Sequence, residues 1–158
     1  MTMWEGKILS LHSCAGKEQP LHSPDQLVCL AGVGIEGDRY ALGTGTYSER
    51  PEEGRQFTLF ENETLAALAR DWDIELKPDQ TRRNAITQGV PLNHLVGRKF
   101  RVGPDVVLEG MRLSVPCKYL EDLVEIKSLF KALINRSGLN CRILTGGTVS
   151  KGDLIKPV

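Results

Sequence analysis

The stretch Val106-Val-Leu-Glu-Gly110-Met-Arg-Leu-Ser-Val-Pro-Cys117-Lys-Tyr-Leu-Glu-Asp-Leu123 changes its period part-way along. Val106 to Glu109 reads as a strand. From Pro116 onward, Leu120, Leu123 and Val124 fall three and four apart, with Lys118, Glu121 and Asp122 on the other side, which is a helical pattern. Pro116 suits a first helical turn, where its missing N–H would have gone unpaired anyway. Cys117 is then expected where unpaired helix N–H groups point outward, with Lys118 beside it and Arg112 a little upstream. Such surroundings favour the thiolate, the form that binds metal or attacks sulfur. The same residue also reads as an inert cysteine packed like a small apolar side chain, and local sequence leaves both readings open.

Working outward, Phe100-Arg-Val102 and Val106-Val-Leu-Glu109 flank Gly103-Pro-Asp105, a hairpin signal. Gly6–Leu11, Leu27–Ala31 and Arg55–Phe60 read as further strands, the second as a fully buried one. Asn140–Leu144 and Val149–Ile155 read as a closing pair. Two helices are expected. One spans Asn62–Trp72, capped by Asn62, with Leu65, Leu68, Ala69 and Trp72 facing the core. The other spans Glu125–Arg136, with Leu129, Phe130, Leu133 and Ile134 inward and Gly138 ending it. Strands without strand–helix–strand alternation point to a mainly β chain: a closed barrel-like fold of about seven to eight short strands with two or more peripheral helices.

At 158 residues the chain reads as one domain, residues 1–158. Twenty Lys and Arg balance twenty Asp and Glu, which removes support for nucleic-acid or anionic-membrane binding. No apolar run reaches membrane-spanning length, and Met-Thr-Met-Trp-Glu-Gly-Lys lacks a signal-peptide core. Cys14, Cys29, Cys117 and Cys141 are scattered without CxxC pairing, so a disulfide scaffold is not expected and a reducing cytoplasm is. His12, Cys14 and His22 match no strong metal-ligand spacing and read as loop residues.

Gly32-Val-Gly-Ile-Glu-Gly-Asp38-Arg39 is neither a phosphate loop nor a dinucleotide fingerprint, and reads as a tight turn capped by Asp38. Ala41–Gly54 has little to bury and reads as a loop covering a site. In Thr81-Arg-Arg-Asn84, two guanidinium forks and an amide suit a phosphate or a heterocycle edge.

Taken in order, Gly34-Ile-Glu-Gly-Asp-Arg39, Arg82-Arg-Asn84, Pro91-Leu…Gly97, Val115-Pro-Cys117 and Gly146-Gly-Thr-Val-Ser-Lys-Gly-Asp153 resemble the MOSC domain family. That family is named for the C-terminal part of molybdenum cofactor sulfurases. The resemblance implies a barrel-like fold and a site for molybdenum-molybdopterin. It puts the family's cysteine on Cys117, as a molybdenum ligand or a persulfide carrier, and its cofactor-binding arginine and asparagine on Arg82 and Asn84. Arg55 and Arg112 are expected to assist. The chain reads as the minimal domain, without a companion N-terminal domain, a C-terminal extension or a pyridoxal phosphate domain. Pyridoxal phosphate would therefore enter only through a partner sulfurase or cysteine desulfurase. The first functional expectation is a sulfur carrier or cofactor handler. The alternatives are a molybdenum-dependent reductase of N-hydroxylated compounds such as hydroxylaminopurine or amidoximes, fed by a separate redox protein, and a non-catalytic binding module.

Overall fold

The computed structural model describes residues 3–158. Its strands are β1 (Gly6–Leu11), β2 (Gln26–Leu30), β3 (Gly34–Ile35), β4 (Phe57–Glu61), β5 (Ala85–Gln88), β6 (Lys99–Val102), β7 (Val106–Leu113), β8 (Leu139–Thr145), β9 (Gly147–Ser150) and β10 (Leu154–Pro157). Interleaved with them are α1 (Arg39–Leu42), α2 (Asn62–Trp72), α3 (Lys118–Val124) and α4 (Leu129–Ala132). Seven strands close into a barrel in the order β1-β10-β6-β7-β8-β4-β5, and β3-β2-β9 form a separate three-stranded sheet. The expected mainly β, closed barrel with peripheral helices is what the chain forms.

Alternation drives the closure. β6 buries Phe100 and Val102 and exposes Lys99 and Arg101, and across the hairpin β7 buries Val106 and Leu108. Phe57, Leu59 and Leu139 fill the interior beside them. Each such side chain removed from water contributes about 1.5–3 kcal/mol before the cost of ordering the chain. β4 is buried on both faces. Phe57 and Leu59 point into the barrel, while Phe60 joins Leu68, Ile86, Leu120, Leu129 and Leu133 in a second apolar cluster that seats the helices. The β4–β5 pairing is parallel, and the connection that allows it carries α2 across the outside of the wall.

Several sequence expectations change. Leu27–Ala31 becomes Gln26–Leu30, buried on one face only, with Val28 and Leu30 exposed, because it belongs to the small sheet. Val149–Ile155 splits: β9 leaves to pair with β2, and β10 returns to the barrel between β1 and β6. Glu61, not Asn62, is the N-cap of α2, and its buried face is Thr64 and Leu68. Trp72 ends the helix 41% exposed, since the second cluster stops short of it. The single helix expected over Glu125–Arg136 is reduced to α4, because Glu125 and Ser128 adopt left-handed backbone that breaks the run. Leu129 and Leu133 are buried there, while Phe130 and Ile134 face outward.

Candidate functional site

The site begins where β7 ends. Gly110 lies against the 95–97 turn: Gly97 N donates to Gly110 O, Gly110 N donates to Arg98 O, and a Cβ at Gly110 would run into the Leu95 carbonyl. The β7–β8 register shifts between Gly110 and Arg112, which turns Arg112 and Ser114 toward the open end of the barrel wall. Cys117 follows at the N-cap of α3, with no side-chain cap hydrogen bond. Pro116 therefore precedes the helix instead of starting it, and α3 is only seven residues long. The positive surroundings of Cys117 come from arginines more than from the helix end.

Those arginines converge from four segments. Arg39, Arg55, Arg82, Arg83 and Arg112 line one cleft of about 190 Å³ together with Tyr47 and Cys117. An adjoining cavity of about 340 Å³ shares Tyr40, Tyr47 and Arg55 with it and is walled by the Val33 and Pro51 side. The Ala41–Gly54 segment therefore borders both cavities, chiefly through Tyr47.

One of the five guanidiniums, that of Arg39, is held from below by a buried network. Asp38 caps α1 by accepting from Tyr40 N at 3.3 Å. It also accepts from Ser13 Oγ at 2.9 Å and pairs with Arg39 at 3.2 Å. Arg39 passes this order on by donating to the carbonyl of Arg82 at 3.0 Å. Arg82 has left-handed backbone, φ 58°, so successive side chains splay apart. Arg82 donates to Gln19 O at 2.7 Å and Arg83 to Ser137 O at 3.1 Å. Neither has a carboxylate within 4.0 Å among the described residues. Burial pulls the Arg83 guanidinium down to about 10; Cys117 raises it, and nearby Arg39 lowers it further. It stays cationic at neutral pH and stands to gain from an anion.

On the opposite rim, Glu52 bridges Arg112 (2.5 and 3.1 Å) and Arg55 (3.4 Å). The Arg55 guanidinium lies over the Tyr47 ring, 5.3 Å from its centre. Burial first, and the nearby Cys117 second, push the Tyr47 hydroxyl up to about 12, so it stays protonated at neutral pH.

Of the residues singled out in the sequence, Cys117, Arg82, Arg55 and Arg112 share this cleft. Asn84 does not line it. Its amide oxygen accepts from Thr58 N and Oγ1, and its nitrogen donates to His12 O, so it is a buried strut between β4 and the turn before β5. Arg83, the second guanidinium of the Arg-Arg-Asn run, also lines the cleft, as do Arg39, Tyr47 and Asn140, which the sequence did not single out for it. The Arg82-Arg83 pair was the available signal for Arg83, and the Asp38-Arg39 turn for Arg39. His12, Cys14 and His22 form no metal cluster among the described residues; His12 is buried between the hydroxyls of Ser10 and Ser23.

The MOSC domain family model matches residues 37–156. No curated protein matches the sequence. Among solved structures, the YuaD protein from Bacillus subtilis superposes with a TM-score of 0.82 at 19% identity, covering 98% of this chain and 97% of that one. YiiM from Geobacillus stearothermophilus gives 0.70 at 14% identity, covering 97% and 75%. YiiM from Escherichia coli gives 0.69 at 17%, covering 100% and 70%. At these identities the superpositions establish a common fold.

Proposed function

The chain belongs to the MOSC domain family, and from that premise we propose that its cleft holds the molybdenum cofactor, with Cys117 handling sulfur for it as a persulfide or meeting the metal as a thiolate. One observation carries this reading. Cys117, the one cysteine of the four that is not buried, opens into the same cleft as Arg82 and Arg83, two cations without carboxylate partners among the described residues.

The residues fit the group. Guanidinium forks suit a phosphate, and a thiolate is the ligand a thiophilic metal takes. When bound, the cofactor supplies that metal centre at the end of a phosphorylated pterin. Arg82 and Arg83 would hold the phosphate, and Tyr47 would donate to the sulfur of Cys117.

The sulfur step is an exchange without net redox change. The Cys117 thiolate attacks the outer sulfur of a persulfide on a cysteine desulfurase. A new S–S bond forms on Cys117, the partner's S–S bond breaks, and the partner leaves as a thiolate. Pyridoxal phosphate stays with the partner. Incubation with a cysteine desulfurase and cysteine, followed by intact-mass measurement, should add one sulfur to the wild type and none to Cys117→Ser. Absence of added sulfur on the wild type, or equal addition to both proteins, overturns the carrier role.

A further inference from the structure

We propose that Glu52 is a displaceable internal anion that sets how much negative charge a ligand must bring to the cleft; this rests on the anion-binding reading above. Glu52 divides four of the five cleft arginines into two sets, the fifth, Arg39, being paired with Asp38. Arg82 and Arg83 face the cleft without a carboxylate partner among the described residues. Arg112 and Arg55 are masked, Arg112 by a two-pronged contact through Nε (2.5 Å) and Nη2 (3.1 Å), Arg55 at 3.4 Å.

Two further features make the mask removable, and a third keeps it charged. The Glu52 side chain is 35% exposed, so its carboxylate can swing into water. Arg112 is separately tied to Leu113 O at 3.0 Å, and Arg55 to the carbonyls of Tyr47 and Arg50, so both guanidiniums keep their places when the carboxylate leaves. Arg112 also holds the Glu52 carboxyl below its ordinary range, so at neutral pH the mask is charged. A singly charged ligand is answered by Arg82 and Arg83 alone. A polyanion, such as a diphosphate or a phosphorylated cofactor with a charged metal end, competes with Glu52 and recruits Arg55 and Arg112. Glu52 thereby selects ligands by charge, without touching them.

Glu53 supplies a matched control. It ties the same loop to the barrel through Arg142 at 3.0 Å, yet pairs with no cleft arginine. Calorimetric titration of the full chain with inorganic pyrophosphate at fixed ionic strength tests the inference. Glu52→Gln should bind at least about threefold more tightly than wild type, with Glu52→Ala alike and Glu53→Gln within about twofold of wild type. Thermal melts confirm that each variant is folded. Equal or weaker binding by both Glu52 variants overturns the inference, as does an equal gain in Glu53→Gln, which would trace the effect to a loosened loop. If Arg83→Gln loses pyrophosphate while the Glu52 variants gain nothing, the anion cleft stands and this inference falls. If neither wild type nor the Glu52 variants bind pyrophosphate, both fall.

Discussion

Burial separates the four cysteines chemically. It pushes the Cys29 thiol up to about 12 and the Cys141 thiol well above its ordinary value, and Cys14 is enclosed with its thiol donating to Gly16 O at 3.2 Å. A thiol probe near neutral pH should therefore label one site quickly, Cys117, and Cys117→Ser should lose the fast phase; peptide mapping reads this directly. Glu61 is another residue whose chemistry burial has changed. Burial, with Glu63 adding to it, raises its carboxyl to about 7 from an ordinary 4.5. The folded state then holds this proton more tightly than the unfolded chain, so stability contributed by protonated Glu61 is present below about pH 4.5 and is lost as pH rises through about 7. Glu61→Gln should raise the melting temperature by a few degrees, roughly 2–4 °C, at pH 8 and leave it nearly unchanged at pH 4. At this scale the sequence offered Cys117, Arg82, Arg55 and Arg112 through the family resemblance and the residues around Cys117, and the fold brings these four side chains to one cleft. Asn84 was misplaced because an amide serves a buried strut as readily as a ligand, and only tertiary contacts tell the two apart.

At the scale of elements, the site depends on a bend in β7. Gly110 makes that bend by allowing the Leu95 carbonyl against its Cα, and the register shift that follows presents Arg112 and then Cys117 to the cleft. Gly110→Ala should cost about 2–3 kcal/mol in chemical denaturation, because the clash is with backbone and cannot be relieved by a rotamer change. It should also slow Cys117 labelling if the bend relaxes. The β6–β7 hairpin was readable from Gly103-Pro-Asp105 between alternating runs, and the structure pairs the two strands as that signal requires. The helices were less readable. Apolar spacing over Glu125–Arg136 continues through Glu125 and Ser128, yet both take left-handed backbone that local periodicity does not register. Trp72 keeps helical phase with Leu65 and Leu68 but lies beyond the apolar cluster that would have covered it.

For the whole molecule, formal neutrality hides a strong local imbalance. Twenty cations and twenty anions cancel along the chain, while the fold gathers five arginines around one cysteine and, among the described residues, gives them only Asp38 and Glu52 as carboxylate partners. No count of residues could have shown this, since Arg39, Arg55, Arg82 and Arg112 come from separate segments brought together by barrel closure. The closed, mainly β architecture was legible because strand alternation and turn residues repeat along the chain. The small β3-β2-β9 sheet was not, because β9 reads locally as part of the closing strand. No helix among the described residues is long and apolar enough to cross a membrane.

The central claim is that Cys117 and the unpaired arginines hold one ligand between them. The direct test loads wild type, Cys117→Ser, Arg83→Gln and, as a control, Cys29→Ser with molybdenum cofactor, removes free ligand, and measures molybdenum and pterin per chain. Wild type and Cys29→Ser should retain both, Cys117→Ser should lose most of its molybdenum, and Arg83→Gln should lose pterin and metal together. Equal retention by all four proteins, or none by the wild type, would contradict the account.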